Sequence, residues 1–171
     1  KSIMLKGVGL QYIAKETKAY WSGKNLYYGD NLIVFLKASK GLSGLNKTYF
    51  SINGEPYRVY TDSLVFNKAG EYKIKYYSID NVGNMENVRS KFFIIDLQKP
   101  VSVKTLHGDI YENILSARSS IQLQAKDSIS GVAKIYYTID DAPERVYNSR
   151  IAAANLAEGE HLLKYYAVDY V

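Results

Sequence analysis

Leu36–Tyr60 reads LKASKGLSGLNKTYFSINGEPYRVY, and 87 residues later Leu123–Tyr147 reads LQAKDSISGVAKIYYTIDDAPERVY, without a gap. A second block, GEYKIKYYSID at Gly70–Asp80, returns at an offset of 89 as GEHLLKYYAVD at Gly159–Asp169. Self-similarity at a fixed period is the first thing to establish in a sequence, because it sets the domain count. The 171 residues therefore hold two copies of one design, each large enough for a modest core.

Within the repeated blocks the polar and apolar residues alternate with a period of two, the pattern of a strand with one buried face. Thr48, Phe50 and Ile52 share one face, with Tyr49 and Ser51 on the other. The second copy sets Ile135, Tyr137 and Ile139 against Tyr136 and Thr138. Asn53-Gly54 then predicts a tight hairpin, because both central positions of that turn need positive φ; Asp140-Asp141 is a weaker version. Pro56 and Pro143 follow, and proline, which cannot donate to a ladder, marks an edge. Tyr72, Ile74, Tyr76 and Ser78 alternate with their neighbours in the second block, and His161 stands in Tyr72's place, a sheet position. A closing strand, Arg89–Asp96, completes the first copy, and Leu97-Gln98-Lys99-Pro100 reads as a linker.

About seven short strands per copy, with turn signals every 8 to 12 residues, predict two tandem immunoglobulin-like (fibronectin III-like) β-sandwiches. The boundaries are 1–97, with an N-terminal extension over about residues 1–13, and 98–171. Helices between strands are not visible, which excludes a parallel α/β sheet. The cysteine and tryptophan landmarks of antibody domains are missing, and Trp21 has no counterpart.

Composition agrees with a β protein: 47% of residues are hydrophobic and 17 are tyrosine, a side chain suited to half-buried pleated surfaces. With no cysteine, a disulfide framework, a thiolate zinc site and a cysteine nucleophile are excluded. The longest apolar run, Leu32–Leu36, is far short of a membrane-spanning helix. Lys1–Leu10 lacks the apolar core of a signal peptide. The net charge of +5 sits in the first copy: residues 1–97 carry 14 Lys and Arg against 8 Asp and Glu, residues 98–171 carry 8 against 9. The lysines alternate along strands instead of clustering, so nucleic acid is not expected as a partner.

The repeat also exposes a gap. The counterpart of Arg89–Asp96 is missing from the second copy, which leaves a strand edge and a strip of core to be covered. Three explanations are open: a longer array of which this is a piece, completion by Lys1–Val8 lying beside Leu162–Val168, or a strand from another chain.

Candidate chemistry is sparse. There is no HExxH, CxxC, GxSxG or P-loop, and the expectation is no enzyme activity and no catalytic residue. His107 and His161 read as packing residues, because the sister copy replaces His161 with tyrosine. Asp140-Asp141 reads as a turn. Asp80, Asn84 and Glu86 offer hard oxygens at a turn and are a possible calcium site, the single cofactor in view, although Asp80 alternatively bonds backbone amides there. Tyr49, Tyr77, Tyr136 and Tyr166 face outward as candidate contacts for a protein or glycan.

The motif Ser-Gly, a hydrophobic residue, then Tyr-aromatic-Ser/Thr-Ile-Asp/Asn is carried by Ser43-Gly44 with Tyr49–Asn53, and by Ser130-Gly131 with Tyr136–Asp140. It is followed by Tyr76–Asp80 with Gly83–Glu86, and by Tyr165–Asp169. This order resembles bacterial Ig-like surface repeats, those named after a leptospiral outer-membrane repeat protein, over roughly residues 30–171. The first copy departs from the pattern at Ser39-Lys40, where the second keeps an acidic Asp127. The resemblance implies an exported bacterial protein at the cell surface, envelope or extracellular space, with stacked modules in adhesion or accessory roles. Its partners are then neighbouring domains, or a protein or glycan. The alternatives are an accessory module of a secreted hydrolase and a subunit of an extracellular assembly completed by strand exchange.

Overall fold

The computed structural model describes residues 18–38 and 42–171 in full, and Ile3–Met4 and Gln11–Lys15 by their backbone. The described residues are all β apart from a 3-10 turn at Ala153–Asn155. They divide into one unit of Lys1–Leu97 with Val171 and a second of Gln98–Tyr170. Each unit is an Ig-like sandwich.

In the first unit the strands are β1 (Ile3–Met4), β2 (Gln11–Lys15), β3 (Ala19–Ser22), β4 (Asn25–Tyr28), β5 (Leu32–Lys37), β6 (Leu45–Ile52), β7 (Arg58–Val59), β8 (Leu64–Phe66), β9 (Gly70–Asp80) and β10 (Arg89–Ile95). One sheet runs β1-β2-β5-β8 and the other β3-β4-β10-β9-β6-β7. Period-two alternation sends Leu32, Val34 and Leu36 of β5 inward against Phe50 of β6, Ile74 and Tyr76 of β9, and Phe93 and Ile95 of β10. Phe93 is the hub. Its ring meets Tyr28 and Phe66 edge-on at 5.9 and 5.1 Å and stacks on Tyr72 at 5.6 Å. Burying such a side chain contributes about 1.5–3 kcal/mol.

Residues 1–13 are not simply an extension. β2 pairs with β5 across Gln11–Lys15, and β1 pairs with β2 through Ile3–Ala14 and Met4–Ile13. Ile3–Met4 are thus taken up by the first sandwich, which removes them as cover for Leu162–Val168; the other residues of Lys1–Val8 lie outside the described residues. The reason is local: a hairpin with Ile13–Ala14 closes a far shorter loop than a pairing across the whole chain.

The second unit has β11 (Val101–His107), β12 (Ile110–Tyr111), β13 (Ile114–Leu115), β14 (Ser120–Lys126), β15 (Val132–Ile139), β16 (Arg145–Val146), β17 (Ile151–Ala152) and β18 (Leu163–Asp169). Its sheets are β11-β14-β17 and β16-β15-β18, with β12–β13 a separate hairpin. β14, β15, β16 and β18 repeat β5, β6, β7 and β9, and nothing among the described residues repeats β10. The core is correspondingly thin. Its buried hydrophobic side chains among the described residues are Ile121, Leu123 and Ile151, with Ile135, Tyr137, Ile139, Leu163 and Tyr165 partly covered around them.

The hairpin turns follow the sequence. Asn53 and Gly54 have φ of 51° and 84°, and Asp140 has φ of 54°. His161, however, is not in a strand, because β18 begins at Leu163. In the first unit, Gly70–Lys73 are held in the sheet by pairing with β10, while pairing to β6 starts at Ile74. Among the described residues no strand pairs with Gly159–Leu162 as β10 pairs with Gly70–Lys73, although the Leu162 carbonyl accepts the Asp140 amide at 2.8 Å.

Candidate contact surfaces

The four outward tyrosines meet in two pairs. Tyr49 lies opposite Tyr77 on β6 and β9, and Tyr136 opposite Tyr166 on β15 and β18. Directly opposite side chains on one sheet face are close enough to interact. Here the rings stack, with centroids 5.2 Å apart and 17° between planes in the first unit, and 5.3 Å and 22° in the second. Consecutive tyrosines along a strand point to opposite faces, so a platform has to be built across strands, and the register that does so is not written in either doublet alone.

The two platforms differ at one position. Tyr57 meets Tyr77 edge-on at 5.0 Å, making an aromatic trio in the first unit. At an offset of 87 the second unit has Glu144, whose carboxylate accepts the Tyr166 hydroxyl at 3.0 Å. That bond is the main reason the Tyr166 hydroxyl holds its proton above the usual tyrosine range. The first face is apolar at its edge; the second carries a charge.

At the far end of β9, Asp80 organises a turn. Its Oδ1 accepts the amides of Val82 and Asn84 at 3.0 and 2.8 Å, and its Oδ2 accepts Ser43 Oγ at 2.7 Å and Asn84 Nδ2 at 2.9 Å. The Ser43 and Asn84 side chains are the main reason this carboxyl is held down to about 2. Gly44 is required there: at φ of 75° a Cβ would lie 2.8 Å from Asn81 Nδ2, and Asn81 Nδ2 donates to the Ser43 carbonyl at 2.8 Å. The Ser-Gly motif thus fastens the turn after β9. Glu86 gives its amide to the Ser78 carbonyl at 3.0 Å. A cation on Asp80, Asn84 and Glu86 would have to take over oxygen lone pairs that already accept four hydrogen bonds. In the second unit Asp127 Oδ1 accepts the amides of Ile129 and Gly131 at 3.0 and 2.8 Å; Ser39-Lys40 lie outside the described residues.

His161 and Asp140, read separately in the sequence, are brought together. His161 Nδ1 lies 2.7 Å from Asp140 Oδ2, and its Nε2 lies 2.9 Å from the Ala157 carbonyl. The Asp140 carboxylate, then that carbonyl, holds the imidazole above its ordinary value, while the imidazole and the Leu162 amide hold Asp140 below its own. They border a shallow depression of about 250 Å³ with Tyr137 and Arg145. The sister copy explains the pair. Asn53 Oδ1 accepts the Lys73 amide at 2.8 Å, and Asp140 Oδ1 accepts the equivalent Leu162 amide at 2.8 Å. The second atom of Asn53 is a donor and reaches the Glu71 carbonyl at 3.0 Å. The second atom of Asp140 is an acceptor, and His161 supplies its donor. Asp141 follows in the turn. His107, on β11, has Nε2 2.7 Å from Gln122 Oε1 of the neighbouring strand.

No protein-family model matches the sequence, and no curated protein matches it. Among solved structures, the chain is similar to the fibronectin(III)-like modules of Clostridium thermocellum CbhA, with 15% identity and a TM-score of 0.41. That similarity covers 84% of this chain and 79% of the other.

Proposed function

We propose that the chain is a non-catalytic tandem Ig-like segment of an exported bacterial surface or envelope protein, spacing its neighbours and making protein or glycan contacts. The observation that carries this reading is the recurrence of a stacked tyrosine pair at one outer sheet position in both units. Tyr49 with Tyr77 and Tyr136 with Tyr166 present broad, rigid, amphipathic area at low entropic cost, the property that enriches tyrosine in binding surfaces. The histidines and Asp140 are occupied in closing strands and turns. Calcium at Asp80, Asn84 and Glu86 belongs to the same proposal as an accessory ligand that would stiffen the turn.

The test is retention of the full chain on immobilised bacterial and host polysaccharides and matrix proteins. Tyr49→Ala/Tyr77→Ala and Tyr136→Ala/Tyr166→Ala are expected to weaken binding about tenfold or more, the scale of losing one aromatic anchor. Binding unaffected by both double variants would remove the tyrosine faces from the account. Antibody labelling of intact source cells checks the surface location.

A further inference from the structure

The outer sheet face of each unit carries two lysines placed the same way about its tyrosine pair. On β6, Lys47 lies two residues before Tyr49; on β9, Lys75 lies two residues before Tyr77. With Tyr49 opposite Tyr77 in antiparallel register, Lys47 is diagonal to Tyr77 and Lys75 is diagonal to Tyr49. Diagonal neighbours of this kind are about 7–8 Å apart, within reach of long side chains. The second unit repeats the figure: Tyr136 is opposite Tyr166, with Lys134 and Lys164 at the two diagonals. Alternation along a single strand disperses these lysines; the cross-strand register sets one at each end of the pair.

All four lysines are exposed, and among the described residues none is in a salt bridge or a side-chain hydrogen bond. Several other exposed positions of the same blocks diverge between the copies: Glu55 becomes Ala142, Tyr57 becomes Glu144 and Lys73 becomes Leu162. The lysines are kept where neighbouring surface residues drift. The face does not depend on an unfilled edge, because in the first unit β9 lies between β6 and β10 and Lys47 and Lys75 are exposed all the same.

The chemistry on offer is that of donors. At 5.2 Å and 17° the rings of Tyr49 and Tyr77 overlap, so each spends one face on the other, and Tyr57 crowds Tyr77 further at 5.0 Å. Beside the rings stand two hydroxyls in no hydrogen bond among the described residues and two ammonium groups, which only donate. Recognition here favours hydrogen bonds and charge over ring stacking. β9 is paired on both sides, and β6 is covered by β7 at Tyr49 and Phe50. An extended peptide, with one N–H donor for each carbonyl, finds no ladder on this face. A chain dense in acceptor oxygens and negative charge fits it.

We propose that this face binds an acidic polysaccharide, laid along the diagonal from Lys47 across Tyr49 and Tyr77 to Lys75, with its anionic groups at the lysines and its hydroxyls on the tyrosines. The proposal rests on the tyrosine faces being contact surfaces and adds the charge of what they hold. The first unit is the stronger site. Its residues 1–97 hold the excess of Lys and Arg, which attracts a polyanion at long range. In the second unit Glu144 accepts the Tyr166 hydroxyl at 3.0 Å, which takes up one donor and sets a carboxylate against an anionic chain.

Affinity of the full chain is measured for polygalacturonate and dextran sulfate, against their neutral counterparts, methyl-esterified polygalacturonate and dextran. The acidic polymers are expected to bind at least about tenfold more tightly, and the difference shrinks as salt rises. Lys47→Gln/Lys75→Gln is expected to weaken acidic binding about tenfold or more, and Lys134→Gln/Lys164→Gln to weaken it less. Lys24→Gln/Lys68→Gln removes the same charge from other exposed sites of the first unit and is expected to change it less than about twofold. Equal binding of acidic and neutral polymers overturns the proposal, as does binding of neither acidic polymer. So does a Lys24→Gln/Lys68→Gln loss as large as that of Lys47→Gln/Lys75→Gln. Poly-glutamate bound as tightly as the polysaccharides also overturns it and assigns the face to acidic proteins. A target lost by Tyr49→Ala/Tyr77→Ala but held normally by Lys47→Gln/Lys75→Gln sustains the tyrosine faces and removes this proposal. Acidic binding lost with the lysines and untouched by the tyrosine variants supports the acidic ligand and removes the tyrosines from the contact.

Discussion

β9 and β18 carry the same sequence block in different surroundings, and the contrast shows how far a strand depends on its neighbours. β9 extends over Gly70–Asp80, with β6 on one side and β10 on the other. β18 covers Leu163–Asp169 and, among the described residues, pairs with β15 alone. Ile74 is fully buried in the first unit, and its counterpart Leu163 is only partly buried in the second. Where β10 pairs with β9, Phe93 and Ile95 join the core and β9 reaches back to Gly70, whereas β18 starts at Leu163. Propensity is nearly unchanged between the copies; the ladder partner is what differs.

The largest effect expected from this contrast comes from truncating the matched pair. Ile74→Ala is expected to cost the first unit about 2–5 kcal/mol, the range for a fully buried aliphatic side chain. Leu163→Ala is expected to cost the second unit less, about 1–2 kcal/mol, because part of its area is already in water. Residue-resolved denaturant unfolding measures both. Equal losses would break the comparison.

The next effect tests a polar substitution between the copies. Thr48 Oγ1 and Ser78 Oγ are buried and 2.9 Å apart across β6 and β9. At the same cross-strand position the second unit has Ile135 opposite Ala167. Thr48→Val strands the Ser78 hydroxyl and is expected to destabilise by about 1–3 kcal/mol. Adding Ser78→Ala is expected to recover most of that loss, because both partners are then apolar. A double variant as unstable as the single one would contradict the reading.

A smaller, pH-dependent effect belongs to His161 and Asp140. The imidazole is raised above its ordinary 6.5 and the carboxyl lowered below its ordinary 3.8. The stabilisation from His161 is therefore complete below pH 6.5 and fades as pH rises through its higher folded value. That from Asp140 is complete above pH 3.8 and fades as pH falls through its lower folded value. Asp140→Asn/His161→Tyr, which copies Asn53 and Tyr72, is expected to flatten the melting temperature of the second unit across those two edges. Unchanged pH dependence in that variant would assign the titration elsewhere.

The smallest effect concerns Asp80. Its carboxyl, held near 2, keeps its turn bonds well below the ordinary carboxylate range and loses them as pH falls through about 2. The amide shifts of Val82 and Asn84 are expected to titrate there, not near 3.8. The same two shifts report calcium: no movement with millimolar calcium removes the ion from the proposed function.

Much of this was legible in the sequence, for identifiable reasons. Period two separates Phe50 from Tyr49 because strand geometry alone decides which face a residue takes. The offsets of 87 and 89 located the missing counterpart of β10, because a repeat is a ruler. What stayed illegible was non-local. The stacking of Tyr49 on Tyr77 depends on register, and the parallel pairing of Ile94 and Ile95 with Tyr27 and Tyr28 joins segments far apart in the chain. The contact of His161 with Asp140 likewise needs the β15–β18 hairpin closed. The strand over Gln11–Lys15 is not legible either, because one short alternating segment resembles any other until its partner is known.

The most direct test of the central claim is amide hydrogen exchange on the free full chain, comparing Ile74, Tyr76 and Ser78 with Leu163, Tyr165 and Ala167. If the second sandwich is open where the first holds β10, the second set exchanges at least about a hundredfold faster, as expected for unpaired edge amides. Equal protection of the two sets would contradict the account, because it would mean that the edge of β18 is already filled.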